Sequence, residues 1–264
     1  MKFLQIKIMN KIQDSIKELK EQYGVVALRA DMASEVTTVD QLKELKQLSS
    51  DTGLDFTIKV GGCDAATDIH IAKEAGATSL IAPMIETEYS LQKFADTCKS
   101  MYGENLNNIN LYINIETITA FNNLENILSV PQMHFINGIV LGRDDMAKSF
   151  GFSLNNINSE SMLNIAKIVS QKAAQYKKNF VIGGGIRPQT ADFLKSVKNE
   201  YLSYYETRRI VFDSDAILSQ NSEQGLKKAI EFEIMWLKYC QELNYIDVSP
   251  AGKRIEELSV YIVN

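Results

Sequence analysis

Two acidic residues, Glu116 and Asp145, stand where they could bind a metal ion, because each closely follows a short apolar run and the two runs are consecutive along the chain. Carboxylate oxygens with open positions between them suit Mg²⁺ or Mn²⁺. Zinc prefers histidine or cysteine ligands, and neither type accompanies this pair. The spacing leaves a second interpretation open, in which both carboxylates form salt bridges with Lys59 or Arg29.

Other chemically capable residues follow apolar runs in the same way. As candidate catalytic residues we take Lys59, Arg29 and Glu35. As candidate substrate-binding residues we take Lys59, Gly61, Gly62, Pro83 and Arg143. Since charges or glycines end nearly every run, a rim of solvated surface charges explains the set less well than a shared site does.

Seven apolar runs are short, rich in Val and Ile, and continuous rather than alternating, which is typical of strands buried on both faces of a parallel sheet. They cover residues 25–28, 56–60, 79–82, 111–115, 138–141, 180–182 and 209–212. Helical patterns separate them, so the chain follows a β–α repeat with right-handed crossovers. We predict a (β/α)8 TIM barrel whose eighth strand lies within residues 2–8. An open, doubly wound sheet is the alternative.

The C-terminal part, residues 222–264, is predicted to extend the barrel with helices, and residues 1–264 are expected to form one domain. Its last segment has an apolar stripe at helical spacing, made of Ile255, Leu258, Tyr261 and Ile262. A barrel already has its own ring of helices, so we predict that the stripe is buried between the subunits of a homo-oligomer. Packing against the same barrel is the alternative.

Two further clusters lie near the ends of predicted strands. The glycines at 183–185, ahead of Arg187, could bring backbone N–H groups to a phosphate, as late barrel loops often do. A polar cluster covers residues 205–209. There we expect an ion pair between Glu206 and Arg208 across the floor of the barrel.

Composition limits the class of partner. The chain has 264 residues, of which 45% are hydrophobic and 23% charged, and its formal net charge is -5. That charge argues against nucleic acid and anionic membranes as partners. Cys63, Cys98 and Cys240 form neither a zinc motif nor a disulfide framework, so we expect buried thiols in a reducing compartment. Without a signal peptide or a long apolar run, the expected location is the cytoplasm.

Three segments together resemble the HpcH/HpaI aldolase and citrate lyase β-subunit family. They are APMIET at 82–87, INIETITA at 113–120 and GIVLGRDDMAKSFG at 138–151. They are similar to the family's Pro-Met-x-Glu-Thr, Ile-Glu-Thr and Gly-x-x-Asp segments, in the same order and at about the same spacing. Each segment alone is a weak match, but three in register are fairly specific.

The resemblance implies a pyruvate/phosphoenolpyruvate-type barrel in which Glu116 and Asp145 bind Mg²⁺ (or Mn²⁺). It also implies a 2-oxo acid, or a related acyl substrate, held through its carboxylate and keto oxygens. A metal that polarises the keto oxygen stabilises an enolate and so promotes cleavage or formation of a carbon–carbon bond. We therefore predict a lyase of the aldolase or citrate-lyase type, or a synthase working in reverse.

The chain departs from the pattern of the family's aldolases at two positions. Its first strand exit has no histidine, and His70 and His134 are expected to lie outside the site. Lys59 stands where the family has an arginine, and a lysine cannot form the planar, bidentate fork to a carboxylate. Citrate-lyase-like members also lack the histidine. The alternative hypothesis is a non-catalytic or regulatory barrel that binds a keto acid and oligomerises.

Overall fold

The computed structural model describes residues 2–33, 37–151, 153, 156–243, 245 and 248–262. Eight consecutive strands close into a barrel in which each strand pairs with its neighbours in sequence. They are β1 (Val25–Asp31), β2 (Asp55–Lys59), β3 (Ser79–Ala82), β4 (Asn110–Ile115), β5 (Gly138–Gly142), β6 (Asn179–Gly183), β7 (Tyr204–Glu206) and β8 (Ile210–Asp213). The closed barrel, its surrounding helices and its helical C-terminal part confirm the predicted fold class.

The barrel closes with a hairpin. Strands β1 to β7 run parallel, whereas β8 runs antiparallel to both β7 and β1. A short turn, 207–209, joins β7 to β8, and in it the Thr207 amide donates to the Ile210 carbonyl at 2.9 Å. A helix follows each of β1 to β6, but none lies between β7 and β8. The predicted β–α repeat therefore ends at β7.

The expected position of the eighth strand was wrong. Residues 2–8 belong to α1 (Lys2–Tyr23), a helix that packs against α10 (Ser222–Glu242) and buries Ile12, Ile16 and Leu19 completely. These three side chains recur at the spacing of one helix face, which explains their burial. The strand that the sequence pattern did not reveal is β7, which has only three residues and a charged end.

The remaining helices are α2 (Val39–Thr52), α3 (Ala66–Glu74), α4 (Glu88–Tyr102), α5 (Ile118–Asn122), α6 (Leu124–Ser129), α7 (Arg143–Ser149), α8 (Glu160–Gln175), α9 (Ala191–Lys198) and α11 (Val248–Ser259). Local signals set several of their ends. Thr38 and Thr87 cap α2 and α4, because each hydroxyl accepts the N–H three residues later at 3.2 Å. Among the described residues, no helix is long and apolar enough to span a bilayer.

A layer of apolar side chains forms the bottom of the cavity in which the candidate site lies. Ile81, Val140 and Val181 pack together, with Tyr112 and Tyr204 against them. Val140 also lines the cavity above this layer. This layer lies between the cavity at the carboxyl ends of the strands and the other end of the barrel, as in other packed barrel cores.

Candidate active site

The carboxyl ends of the strands meet in a cavity of about 240 Å³. Its deep lining comes from polar side chains at the ends of four strands, namely Arg29, Asp31, Lys59, Asn114, Glu116 and Glu206. Each of these residues is at most 8% exposed. Charged groups are rarely buried unless they are paired or have a function, so this concentration in one cleft marks the cavity as the candidate active site.

Glu116, directly after β4, is held by three neighbours. Its carboxylate accepts hydrogen bonds from the Met84 amide at 3.0 Å and from Asn114 Nδ2 at 2.7 Å. The Lys59 ammonium lies 3.3 and 3.4 Å from its two oxygens. Of the two salt bridges that the sequence left open as an alternative, the one from Glu116 to Lys59 is formed, whereas Asp145 pairs with Lys148. Glu116 is 1% exposed, so this ion pair is shielded from bulk water.

Gly142 at the end of β5 leaves the space that Glu116 occupies. A Cβ atom at this position would lie 2.5 Å from Oε2 and 2.8 Å from Cβ of Glu116. Met84 contributes in another way, because its φ of 52° lies in the left-handed region, which non-glycine residues rarely adopt. Such a conformation persists where its surroundings impose it, and here the same residue donates its N–H to Glu116.

Asn114 presents an unsatisfied oxygen beside Glu116. Its amide nitrogen donates to Glu116, whereas its Oδ1 atom is buried and has no hydrogen-bond partner among the described residues. A buried acceptor without a donor costs free energy unless a ligand satisfies it. Asn114 and Glu116 are two residues apart near a strand end, so that both side chains face the same cavity.

Asp145 lies in the first turn of α7 and lines the same cavity as Glu116. Its side chain is 38% exposed and pairs with Lys148 at 3.2 Å. Together with Asn114 Oδ1, the two carboxylates provide hard oxygens of the kind that Mg²⁺ and Mn²⁺ prefer. The described residues contain no group of three or more His, Cys, Asp or Glu side chains close enough to hold a metal. Two carboxylates and one amide oxygen would leave the other positions of a hard ion to water, and such an ion would displace Lys59 from Glu116 and Lys148 from Asp145.

Arg29 links two further acids in the cavity. Its Nε lies 3.3 Å from Glu206 Oε1, and its Nη2 lies 3.6 Å from Asp31 Oδ2. Burial raises the pKa of Glu206, while the positive charges of Arg29 and Lys59 oppose that shift. Gly183 makes room for this carboxylate, because a Cβ there would lie 3.0 Å from Glu206 Oε1. Glu206 is thus a buried acid whose protonated form is favoured more than that of a solvated glutamate.

The expected ion pair across the barrel floor was misplaced. Glu206 ends β7 at the carboxyl end of the barrel and pairs there with Arg29. Arg208 contributes its carbonyl oxygen, which accepts from Arg29 Nη1 at 3.3 Å. The error arose because β7 was not recognised as a strand, so the cluster was assigned to the entry of the next strand rather than to the exit of this one.

Several predicted site residues do not line the cavity. The Gly61 amide donates to Asp68 at 2.7 Å, and Gly62 and Pro83 are likewise outside the lining. Glu35 falls outside the described residues. Of the predicted set, the structure brings together Lys59, Arg29, Glu116 and Asp145.

Arg143 was predicted to bind substrate, but it does not line the cavity. Its guanidinium donates to the carbonyls of Gly183, Gly184 and Ile157, and it stacks on Phe193 at 4.6 Å. The residue is fully buried, and burial lowers the pKa of Arg143 while Asp144 raises it. Its fork of donors is therefore used to support the loop after β6 rather than to bind substrate.

The two histidines lie outside the cavity, as predicted. His70 is exposed on α3, and His134 is exposed before β5, where its Nδ1 is 2.6 Å from the Pro131 carbonyl. Among the described residues that line the cavity there is no histidine.

Two backbone amides of the loop after β6 are already used within the chain. The Gly185 amide donates to Asp144 Oδ2 at 3.0 Å, and the Arg187 amide donates to Thr190 at 3.2 Å. The Arg187 side chain, however, lines the cavity. Arg187 could have been predicted to line the cavity, because it follows a run of glycines at a strand exit. The sequence analysis considered only the glycines as a binding site.

The C-terminal segment folds back over its own barrel. Its stripe, Ile255, Leu258, Tyr261 and Ile262, packs against α10 at Ile230, Ile234 and Leu237. Arg254 and Leu258 of α11 line the cavity, and Arg254 pairs with Glu233 of α10 at 2.9 Å. The predicted use of this stripe between subunits is therefore incorrect, and the alternative of packing on the same barrel is observed.

Residues 24–181 match the HpcH/HpaI aldolase/citrate lyase family. No curated protein matches the chain in sequence. A HpcH/HpaI aldolase/citrate lyase family protein from Burkholderia cenocepacia J2315 has a similar structure, with a TM-score of 0.60 and 16% identity over 82% of this chain and 90% of that chain.

Two other solved structures share the fold. The HpcH/HpaI aldolase from Desulfitobacterium hafniense DCB-2 has a TM-score of 0.59 and 11% identity over 83% of this chain and 88% of that chain. The citrate synthase SbnG has a TM-score of 0.58 and 13% identity over 73% of this chain and 80% of that chain. At these identities the structures show a common fold, whereas the sequence match covers more than half of the chain, from β1 into β6. This chain therefore belongs to the HpcH/HpaI aldolase/citrate lyase family, and its membership implies carbon–carbon lyase activity.

Proposed function

We propose that this protein is a divalent-metal-dependent carbon–carbon lyase, or a synthase working in reverse, that acts on a 2-oxo acid or a related acyl substrate. The arrangement around Glu116 is the observation on which the proposal rests. A buried carboxylate, an unsatisfied amide oxygen from Asn114 and a cation from Lys59 face one cavity. This combination suits a ligand that is both an oxygen donor and an anion.

Mg²⁺ or Mn²⁺ is the proposed cofactor, with Glu116 and Asp145 as its protein ligands. When bound, such an ion acts as a Lewis acid on the keto oxygen and stabilises the enolate that forms as the carbon–carbon bond breaks. Asn114 and the Met84 amide keep the Glu116 carboxylate in place through their hydrogen bonds. This support reduces the reorganisation needed when a ligand enters.

Lys59 is proposed to bind the substrate carboxylate. Its ammonium now neutralises Glu116, and it would exchange that partner for the substrate anion when a metal takes over Glu116. Arg29 is proposed as a positioning residue, because its guanidinium lies between Asp31 and Glu206.

Glu206 is the proposed group that moves a proton to or from the enolate carbon. No histidine lines the described cavity, and Glu116 and Asp145 are proposed to bind the metal. Asp144 accepts from Gly185, and Glu233 pairs with Arg254 in the outer part of the lining. Two acids remain, Asp31 and Glu206, on either side of Arg29. Burial raises the pKa of Glu206, which brings this carboxyl nearer to the range useful for proton transfer at neutral pH.

A solvent-exchange experiment tests this function. Pyruvate is incubated in D₂O with the protein and Mg²⁺, and loss of the methyl proton signal is followed by NMR. We expect exchange with the wild type, none after EDTA, and a loss of at least about a hundredfold in Glu116→Gln, the scale of a lost charge-stabilising group. Glu104→Gln, an exposed acid outside the cavity, is the matched control. Pyruvate binding without any exchange would favour a non-catalytic keto-acid-binding barrel.

The remaining expectations also stand as proposals. Cys63 is a free thiol, and Cys98 and Cys240 are buried, which supports a reducing compartment such as the cytoplasm. A single domain over 1–264 is supported by the packing of α1 against α10, which joins the two ends of the chain. The tail stripe packs within the chain and so gives no reason for an oligomer. A homo-oligomer is therefore proposed from the family resemblance alone.

A further inference from the structure

The outer part of the cavity contains an arginine without an acidic partner. Of the other cations that line the cavity, four pair with a carboxylate in it: Arg29 with Glu206, Lys59 with Glu116, Lys148 with Asp145, and Arg254 with Glu233. Among the described residues, no carboxylate lies within ion-pairing distance of Arg187, although this side chain is partly buried and faces the same cavity. A positive charge left uncompensated inside a cleft attracts an anion.

Tyr261 of the C-terminal segment holds this arginine. Arg187 Nη1 donates to the Tyr261 hydroxyl, and the guanidinium carbon lies 4.4 Å from the centre of the Tyr261 ring. A guanidinium has five N–H donors in a planar fork, and this hydrogen bond uses one of them. Contact with an aromatic ring restrains the fork while its other donors remain available to a planar acceptor.

The position of Arg187 in the barrel is opposite to that of Lys59. Lys59 ends β2, and Arg187 follows β6, four strands further around a closed barrel of eight. A ligand whose carboxylate meets Lys59 would therefore extend its other end toward Arg187. The two cations therefore line the same cavity from opposite sides of the barrel.

The surroundings favour a carboxylate over a phosphate at Arg187. Asp144 and Asp145 line the same cavity, and their negative charges oppose a doubly charged group more than a singly charged one. The backbone amide of Gly185 is already used by Asp144, so the anion would rely on side-chain donors. A planar carboxylate also matches the fork of a guanidinium better than a tetrahedral group does.

We propose that Arg187, held by Tyr261, binds a second carboxylate of the substrate, which makes the substrate a dicarboxylic 2-oxo acid. This inference rests on the proposed function, because it takes the first carboxylate and the keto group to be bound at Lys59 and Glu116. It assigns the tail a direct part in substrate selection, since Tyr261 lies beyond α11.

Matched pairs of acids test the inference. Dissociation constants are measured by calorimetry with Mg²⁺ present for 2-oxoglutarate against 2-oxopentanoate, and for oxaloacetate against 2-oxobutanoate. We expect the wild type to bind at least one dicarboxylic acid about ten- to a hundredfold more tightly than its monocarboxylic counterpart, the worth of a charged hydrogen bond. Arg187→Met should remove that preference without changing the affinity for the monocarboxylic acid. Tyr261→Phe should reduce it partially, and Lys43→Met, on an exposed lysine of α2, should keep it.

The outcomes separate the inference from the proposed function. If the wild type binds the monocarboxylic acids but shows no preference for either dicarboxylic acid, the Arg187 site is wrong while the function survives. Equal losses for both acids in Arg187→Met, or a preference that survives this change, would also overturn the inference. If the wild type binds none of the acids, the proposed function itself fails. Acetate tests whether the two carboxylates belong to one molecule. If acetate binds only in the presence of pyruvate, and if this binding depends on Arg187, the two carboxylates belong to two molecules and the inference is overturned.

Discussion

Lys59 and Glu116 form a shielded ion pair that both a metal ion and a keto acid would rearrange. Replacing Lys59 by methionine removes the cation but keeps the length of the side chain. We expect the Kd for pyruvate to rise about ten- to a hundredfold. The affinity for Mn²⁺ should increase, because Glu116 loses a competing positive charge. Calorimetry on the variant and on Lys43→Met provides both numbers. An unchanged Kd for pyruvate would show that another cation holds the acid.

Glu206 gives a second prediction at the residue scale. Glu206→Gln should still bind pyruvate and Mg²⁺ but lose methyl proton exchange by about a hundredfold or more, as expected when a general base is removed. The active form of a base is deprotonated, so in the wild type the exchange rate should rise with pH through the pKa of Glu206, which burial raises above its ordinary value. Exchange that persists in Glu206→Gln with the same pH profile would contradict this role.

Individual residues show how far the site could be read from the sequence. Lys59, Arg29, Glu116 and Asp145 were predicted from their positions after strands, and the barrel brings them to one cavity because parallel strands end at the same face. Arg143 has an equivalent position, yet its side chain turns to carbonyls behind the loop. Position along the chain indicates which end of the barrel a residue occupies, whereas the direction of its side chain depends on packing.

At the scale of elements, Gly142 connects β5 to the position of Glu116. Gly142→Ala should weaken Mn²⁺ binding by at least about tenfold and lower the free energy of unfolding by about 1–3 kcal/mol, because a Cβ would overlap Glu116. Gly62→Ala is the matched control, since a Cβ at that position would have no atom within 4 Å. Titrations with Mn²⁺ and unfolding in urea measure both effects. If Gly142→Ala and Gly62→Ala have the same Mn²⁺ affinity and the same free energy of unfolding, the Glu116 side chain can move aside without loss of binding or stability.

The elements differed in how well the sequence revealed them. Strands such as β3 and β4 were predicted within one residue, because their apolar runs are buried on both faces. The three-residue β7 has too little apolar sequence to form a pattern, and its hairpin to β8 gives no helix to mark the boundary. Between β4 and β5 the helical region is divided into two short helices, α5 and α6, and α7 is a single short element within a motif that was recognised for its chemistry.

At the scale of the whole molecule, α11 packs on α10 of the same chain. Leu258 is 2% exposed, so Leu258→Ala should lower the free energy of unfolding by about 2–5 kcal/mol. Because the contact lies within the chain, this loss of stability should be the same at every protein concentration, and light scattering should give the same mass as for the wild type. Val260→Ala, at a residue that is 61% exposed, should have little effect. Dissociation of an oligomer by Leu258→Ala alone would place the stripe between subunits instead.

The proposed function depends on a divalent metal bound by Glu116 and Asp145 in the cavity at the carboxyl ends of the strands. The most direct measurement is titration of Mn²⁺ by electron paramagnetic resonance, with wild type, Glu116→Gln, Asp145→Asn and the exposed control Glu104→Gln compared in their folded state. We predict one Mn²⁺ site in the wild type and in Glu104→Gln, and its loss in both other variants. Binding with wild-type affinity in either Glu116→Gln or Asp145→Asn would contradict the account.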